Sequence, residues 1–462
     1  MRMRLSTTNP VRPCTSSSSS SSNLKPRHFC CTITKSKNNL NLNTRPPLNL
    51  ENLFLDHDVR TSSSSSSWLV PEPTASVKLN KRWMDYQGIK NWEGLLDPLD
   101  DNLRCEIIRY GRFVEAAYRS CDFDPSSPSY AMCRYSKRKL LEESGFPATG
   151  YRVTKNLTAT SGIQLPGWAE RGPTWMAMQS SWIGYVAVCQ DRKEISRLGR
   201  RDVVIAFRGT ATGMEWLENL RATLTPLPNG EDSDSDSDWN CDSDPDCEPM
   251  VESGFLSLYT SSDGDRPSLQ TLVREEIARI LEKHGDEALS FTITGHSLGA
   301  ALATLAAYDI KKTFKNSPLV TVISFAGPRV GNWSFRCHLE EQGTKILRIV
   351  NSDDLITKVP GFVIDNNENH HFPNHSGSYT EAASANLAGW IQKLVEDTQW
   401  VYADVGCELR LSSRDSPELN SINIAACHEL KTYLHLVNQF VGSNCPFRAT
   451  ARKMMNKNLI NS

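Results

Sequence analysis

The stretch Thr294-Gly295-His296-Ser297-Leu298-Gly299 constrains this chain more than any other. It follows a short apolar run at residues 289–294 and opens an Ala-rich segment with a helical pattern at 298–313. Gly-x-Ser-x-Gly between a strand and a helix marks a very tight turn, whose serine takes strained backbone angles and lifts its hydroxyl above the sheet. Side chains two residues to either side would collide, and Gly295 and Gly299 remove the collision. The turn also sets the Leu298 N–H at a helix start, where it can donate to a developing anion. Ser297 is read as a nucleophile.

Elements around the turn extend the pattern. Residues 203–207 (VVIAF), 320–325 and 346–350 are continuous apolar runs, as expected of strands covered on both faces. Residues 182–189 (WIGYVAVC) form a further strand signal, and 269–283 has a helical pattern. Strands alternating with helices of this length predict a parallel sheet with crossover helices. Upstream, Leu103, Ile107, Tyr110, Val114 and Ala117 recur at three- and four-residue steps, with Asp100 or Asp101 as the helix cap. The expected fold is α/β: an α/β-hydrolase core with a mostly parallel sheet and an N-terminal helical layer.

A hydrophobic share of 39% suits a sizeable core. No run of about 18 apolar residues occurs, so any membrane contact is expected to be peripheral. A formal charge of -2, with no basic cluster interleaved with aromatics, argues against nucleic-acid binding. The thirteen cysteines are scattered and lack paired zinc-site spacing, which predicts mostly free thiols and no metal site. The closest pair beyond the leader, Cys241 and Cys247, lies in an acidic stretch at 228–248 with nine acids and no bases. Its Asp-x-Asp spacing invites a calcium reading, but the turning Gly and bidentate Glu are missing from their offsets, so a solvated loop is expected.

The first fifty residues hold eight basic residues and no acid, with a serine run at 16–22. There is no apolar core of a secretory signal, so residues 1–67, including a second serine run at 62–67, are read as a disordered plastid transit peptide and linker. One catalytic domain is expected over 80–450, followed by a tail at 451–462.

A nucleophilic serine needs a base and an orienting acid, which in this fold follow it in the order Asp, then His. Asp353 and Asp354 both stand just past the strand ending at Val350. His428 and His435 lie seven apart in the last helical segment, on one face. Spacing does not choose within either pair. His296, inside the elbow, is expected to support the turn. For the oxyanion, Thr210 follows the strand VVIAF and Arg208-Gly209, and it can offer a backbone N–H and a hydroxyl alongside Leu298. Arg208 is expected to brace loops through ion pairs.

Taken together, IAFRGTAT, VESGFLSLY, ITGHSLGAALATLAAYDI, SFAGPRVGN and RIVNSDDLITKVPG resemble the class 3 lipase family. Three longer stretches are narrower: RWMDYQGIKNWEGLLDPLDDNLR, SSWIGYVAVCQDRKEISRLGRRDVVIAFRGT and ELRLSSRDSPELNSINIAACHELKTYLHLV. They resemble the plant plastid phospholipase A1 enzymes of the defective-in-anther-dehiscence type. The resemblance implies Ser297, Asp354 and His428 as catalytic residues and Thr210 at the oxyanion position. It also implies a short helical lid near 213–227, where Trp216, Leu217, Leu220 and Leu224 share an apolar face.

The implied activity is release of fatty acid from the sn-1 ester of phospholipids, and of galactolipids, at a bilayer surface, without a metal or organic cofactor. In plastids that acid can feed jasmonate synthesis. Three other readings compete. A triacylglycerol lipase would differ in the acyl groove and lid, an acyltransferase would pass the acyl group to another alcohol, and an idle lipid-binding protein would not need Ser297, Asp354 and His428 together.

Overall fold

Asp100 opens the first long helix by accepting from the N–H groups of Asn102 and Leu103, the side-chain cap that leaves two helix-start donors satisfied. In the computed structural model, the residues described are 78–124, 126–160, 180–210, 223–228, 248–262, 266–358, 401–416, 419 and 424–442. All of them fall within one compact unit, Pro47–Ser462. The expected transit leader, most of the acidic loop with Cys241 and Cys247, and the tail lie outside the described residues.

In chain order the elements are α1 (Trp83–Tyr86), α2 (Asp101–Ser120), α3 (Leu140–Glu143), β1 (Tyr151–Thr160), β2 (Ser180–Cys189), α4 (Arg192–Leu198) and β3 (Arg201–Phe207). A small pair follows, β4 (Leu224–Pro226) and β5 (Met250–Glu252). Then come α5 (Ser253–Thr260), α6 (Leu269–His284), β6 (Leu289–His296), α7 (Leu298–Thr313), β7 (Leu319–Phe325), α8 (Trp333–Glu341), β8 (Lys345–Asn351) and β9 (Cys407–Leu411). Two helices close the described chain, α9 (Ile424–His428) and α10 (Leu430–Gln439).

The main sheet runs β1-β2-β3-β6-β7-β8-β9. From β3 to β9 neighbouring strands pair parallel, and β1 and β2 add an antiparallel edge. The expected α/β core with a mostly parallel sheet is thus observed. Two strands, β1 and β9, gave no apolar run: β1 is mostly half-buried over its first six residues and carries Arg152 and Lys155, and β9 includes Glu408 and Arg410.

Alternation along the central strands divides the core into two layers. Phe291, Ile293, Val320 and Val322 face one side with Phe255, Ile277, Leu302 and Phe335 of α5 to α8. Ile323, Phe325, Leu347 and Ile349 face the other, with Ile107 and Phe113 of α2 and Tyr433 and Leu434 of α10. The helical layer expected at the N-terminus is α2, buried along the very residues whose spacing announced it. Upstream of Asp101 the chain turns rather than continuing as a helix.

Two expectations change. Of the lid at 213–227, Trp216, Leu217 and Leu220 lie outside the described residues, while Leu224 opens strand β4 instead of extending a helix. The segment Thr223 to Pro226 combines β-branched residues with a proline that ends helices, and its backbone pairs with β5. The last helical segment is not one helix. It breaks at Glu429, whose backbone is extended just before α10, so His428 ends one helix and His435 lies within the next. Among the described residues no helix is long and apolar enough to cross a membrane.

Candidate active site

Because β6, β7 and β8 run parallel, their C-terminal ends lie along one edge, where open α/β sheets collect their sites. Ser297 follows β6 there with φ 56° and ψ -126°, the strained turn expected of it. A Cβ on Gly295 would lie 2.1 Å from Gly299 O, and one on Gly299 would lie 2.5 Å from Arg208 O. Neither glycine can be replaced without opening the turn. The Ser297 N–H donates to Phe325 O at 3.0 Å, which fastens the elbow to β7.

Asp354 follows β8 and His428 ends α9, and the structure brings both to Ser297. His428 Nε2 lies 2.9 Å from Ser297 Oγ, and its Nδ1 lies 2.7 Å from Asp354 Oδ2. A carboxylate accepts, so Nδ1 carries the proton and Nε2 is left to accept from the serine hydroxyl. Asp354 is fully buried, while the His428 side chain keeps 21% of its surface, enough for a substrate atom to approach it. Asp354 takes two further bonds, from Tyr433 OH at 2.7 Å and from the Ile356 N–H at 3.0 Å. Burial, then the Asp354 charge, holds the Tyr433 phenol well above its ordinary range, so it stays a donor.

The neighbouring candidates have other partners. Asp353 accepts from the Ser413 N–H at 3.0 Å and pairs with Arg414 at 2.9 Å, tying down the turn after β9. His435 Nε2 lies 3.3 Å from Ser416 Oγ, away from the elbow. Asn351 Nδ2 donates to Cys427 O at 3.1 Å and so sets the residue before His428. Asn351 and Tyr433 had no signal in the sequence beyond their nearness to candidates.

His296 serves as a brace, as expected. Its Nε2–H donates to His428 O at 2.7 Å, so its Nδ1 accepts from Tyr118 OH at 2.8 Å. Tyr118 OH accepts in turn from the Gly209 N–H at 2.9 Å. One file of hydrogen bonds therefore joins the loop before Thr210, the elbow and the histidine that faces Ser297. Burial, reinforced by His428, pushes His296 down to about 3, so the ring stays neutral beside its neighbour at 4.9 Å. Tyr118 comes from α2, far away in sequence, and only packing reveals it.

The Gly209 N–H is thus committed to Tyr118, and Thr210 is the next residue along the loop. A Cβ on Gly209 would lie 3.1 Å from Ser297 Cβ, so this loop runs directly beside the nucleophile candidate. Leu298 begins α7, and its N–H has no partner within the helix. Arg208 braces the loop, but through carbonyls and, among the described residues, not the ion pairs expected. It donates to Trp182 O at 2.9 Å and Gly209 O at 2.7 Å, because β2 presents backbone oxygens rather than an acid there.

This arrangement can form and break an acyl bond, and comparison with known proteins agrees with that chemistry. The model of the family Lipase (class 3) matches residues 204–364, which hold the elbow and both aspartates. Over 422 residues the chain is 62% identical to Phospholipase A(1) DAD1, chloroplastic, of Arabidopsis thaliana, covering 90% of this chain and 89% of that protein. It is 40% identical to Galactolipase DONGLE, chloroplastic, of the same plant, over 79% of this chain and 72% of that one. A third relative, Phospholipase A1-Igamma2, chloroplastic, is 37% identical over 79% and 66%. The chain belongs to the class 3 lipase family, among the plant phospholipases A1 of the defective-in-anther-dehiscence type.

Proposed function

We propose that this chain is a chloroplast phospholipase A1 that hydrolyses the sn-1 acyl ester of membrane phospholipids, with galactolipids as further substrates. The observation that carries the reading is the unbroken chain Ser297 Oγ, His428, Asp354 at 2.9 and 2.7 Å on one sheet edge. Lipid as the substrate class is supported by relatives named phospholipase A1 and galactolipase. Their chloroplastic names, with the acid-free basic leader, support the compartment.

In this reading His428 Nε2 takes the Ser297 proton as Oγ attacks the acyl carbonyl. Asp354 holds the ring in the right tautomer and stabilises the imidazolium that forms. The N–H groups of Thr210 and Leu298 receive the oxyanion. His428 then protonates the departing lysolipid, and water, activated by the same ring, releases the fatty acid and restores Ser297. His296 must remain uncharged throughout, since a second cation 4.9 Å away would oppose the imidazolium. The chain meets its substrate at a bilayer surface, with the residues around Trp216, Leu217 and Leu220 as the proposed lid.

The test is hydrolysis of phosphatidylcholine and monogalactosyl lipid carrying different acyl chains at each position. Wild-type protein should release the sn-1 acid and leave the 2-acyl lysolipid. Ser297→Ala should fold yet lose activity by several orders of magnitude. Turnover retained in that variant, or release of the sn-2 acid, would overturn the reading. Faster cleavage of triacylglycerol than of either polar lipid would favour the neutral-lipid alternative.

A further inference from the structure

Cys121 and Cys133 face each other across a short antiparallel bridge outside the main sheet. The Arg134 N–H donates to Ser120 O at 2.8 Å, and the Asp122 N–H donates to Met132 O at 2.9 Å. These bonds flank the two cysteines without joining them, which makes Cys121 and Cys133 a non-hydrogen-bonded pair. In such a pair the Cα atoms lie about 4.5 Å apart and both side chains project from one face. A disulfide spans roughly 4.4–6.8 Å between Cα atoms. A bridge is therefore within reach and, at the short edge of that range, readily reduced.

The segment between them is built in advance. The Asp122 carboxylate accepts from the hydroxyls of Ser127 at 2.6 Å and Ser129 at 2.7 Å, and from Arg134 at 3.1 Å. Ala131, at φ 59°, donates its N–H to Asp122 O at 2.7 Å and accepts from the Trp182 N–H of β2 at 2.8 Å. The backbone is already in register, so only the two side chains have to turn, Cys133 away from Tyr135 O at 3.3 Å and Cys121 from Asp122 O at 4.0 Å. Both are free thiols, with Cys133 partly exposed and Cys121 buried. Burial pushes both thiols up, which keeps them protonated at rest, while the Arg208 guanidinium works against it at Cys121. Arg208 therefore offers a countercharge to a thiolate on the inner cysteine.

We propose that Cys121 and Cys133 form a dithiol–disulfide site, oxidised by exchange with an external disulfide. The Cys133 thiolate attacks one sulfur of the external disulfide, forming a mixed disulfide and releasing one thiolate. The Cys121 thiolate then attacks Cys133 Sγ, closing the intramolecular bond and releasing the second. Two cysteine protons are lost, and the two electrons reduce one external disulfide to two thiols. The bridge pins residues 121–133 to the end of α2, next to Tyr118 and Arg208, which hold the loop leading to Thr210.

The full chain is incubated with oxidised glutathione at about pH 8.5, quenched in acid, alkylated and mapped by peptide mass. The expected result is one peptide pair linked through Cys121 and Cys133, about 2 Da lighter than the two thiols, with both sites alkylated after dithiothreitol. The thermal midpoint should rise by about 2–5 °C on oxidation and fall back on reduction. Cys121→Ala should stop at a glutathione adduct on Cys133 and show no reversible rise. Alkylation of both cysteines after oxidant treatment would overturn the proposal, and so would a stable Cys133 adduct in the wild-type chain. Neither readout depends on lipid hydrolysis.

Discussion

Asp202 and Asp354 are both fully buried, both accept from tyrosine hydroxyls, and stand at opposite ends of one sheet. Asp202, at the start of β3, takes Tyr151 OH at 2.7 Å, Tyr110 OH at 3.0 Å, and the hydroxyls of Ser290 and Thr292 at 2.9 Å. Arg200 and Arg109 lie 3.6 Å from it. Burial drives its carboxyl up, but the two guanidinium groups and the hydroxyl donors outweigh it and hold the carboxyl below its ordinary value. Asp354, past the end of β8, has His428 where Asp202 has arginine. A guanidinium keeps its proton at any working pH, whereas an imidazole gives and takes one near neutrality. The same device, a buried carboxylate held by phenols, is thus a lock at one edge and the anchor of a proton-transfer chain at the other. The partner decides which.

The comparison breaks most sharply at the carboxylates themselves. Asp354→Asn should lower kcat by on the order of 10⁴ with the thermal midpoint nearly unchanged, because the wrong imidazole tautomer is favoured. Asp202→Asn should do the reverse. It leaves the buried Arg200 short of a countercharge, although Arg109 keeps Glu106 at 2.6 Å. The cost is about 3–5 kcal/mol in denaturant unfolding, while kcat of the folded fraction stays near wild type. If both substitutions acted mainly on stability, the proposed role of Asp354 would be wrong. Within the proton-transfer edge, His428→Ala should be almost as inactive as Ser297→Ala, whereas His435→Ala, whose ring lies at Ser416 and not at Ser297, should keep substantial activity.

A smaller test uses two buried groups whose pH slopes have opposite signs. His296 sits at about 3, below the ordinary 6.5 of an unfolded histidine. Its contribution is present above 6.5 and is lost as pH falls from there towards 3, by at most about 1.4 kcal/mol per pH unit. Glu252 caps α5 through its bond to the Phe255 N–H, yet among the described residues its second oxygen is buried without a partner, and burial raises it from 4.5 to about 7. Its contribution is complete below about 4.5 and is lost as pH rises from there through about 7. Thermal melts from pH 5 to 8 should therefore show Glu252→Gln gaining on wild type as pH rises. His296→Asn should lose its disadvantage as pH falls. Parallel curves for all three proteins would remove both assignments.

Much of the central sheet was legible because each apolar run is covered on both faces, so burial leaves a continuous mark in the sequence. Strands β1 and β9 lie at the sheet's edges, where solvent admits Lys155, Glu408 and Arg410, and that mark disappears. The lid expectation failed at Leu224 for a related reason. An apolar face at helical spacing says nothing about the partner strand, and β5 supplies one from across the acidic segment.

At the site, adjacent residues were enough to read the elbow and the order of its companions. Two glycines around Ser297 answer a collision that is local, and local geometry is written in adjacent residues. Which acid and which histidine belong to Ser297 was left as two pairs, narrowed only by resemblance to a family. Their physical distinction is tertiary. Asp353 turns to Arg414 while Asp354 turns inward to His428 and Tyr433, and a break at Glu429 separates His428 from His435. Tyr118, which joins the Gly209 loop to His296, was beyond sequence reading altogether. A hydrogen bond across the core depends on where a helix packs, and packing is decided by the whole chain at once.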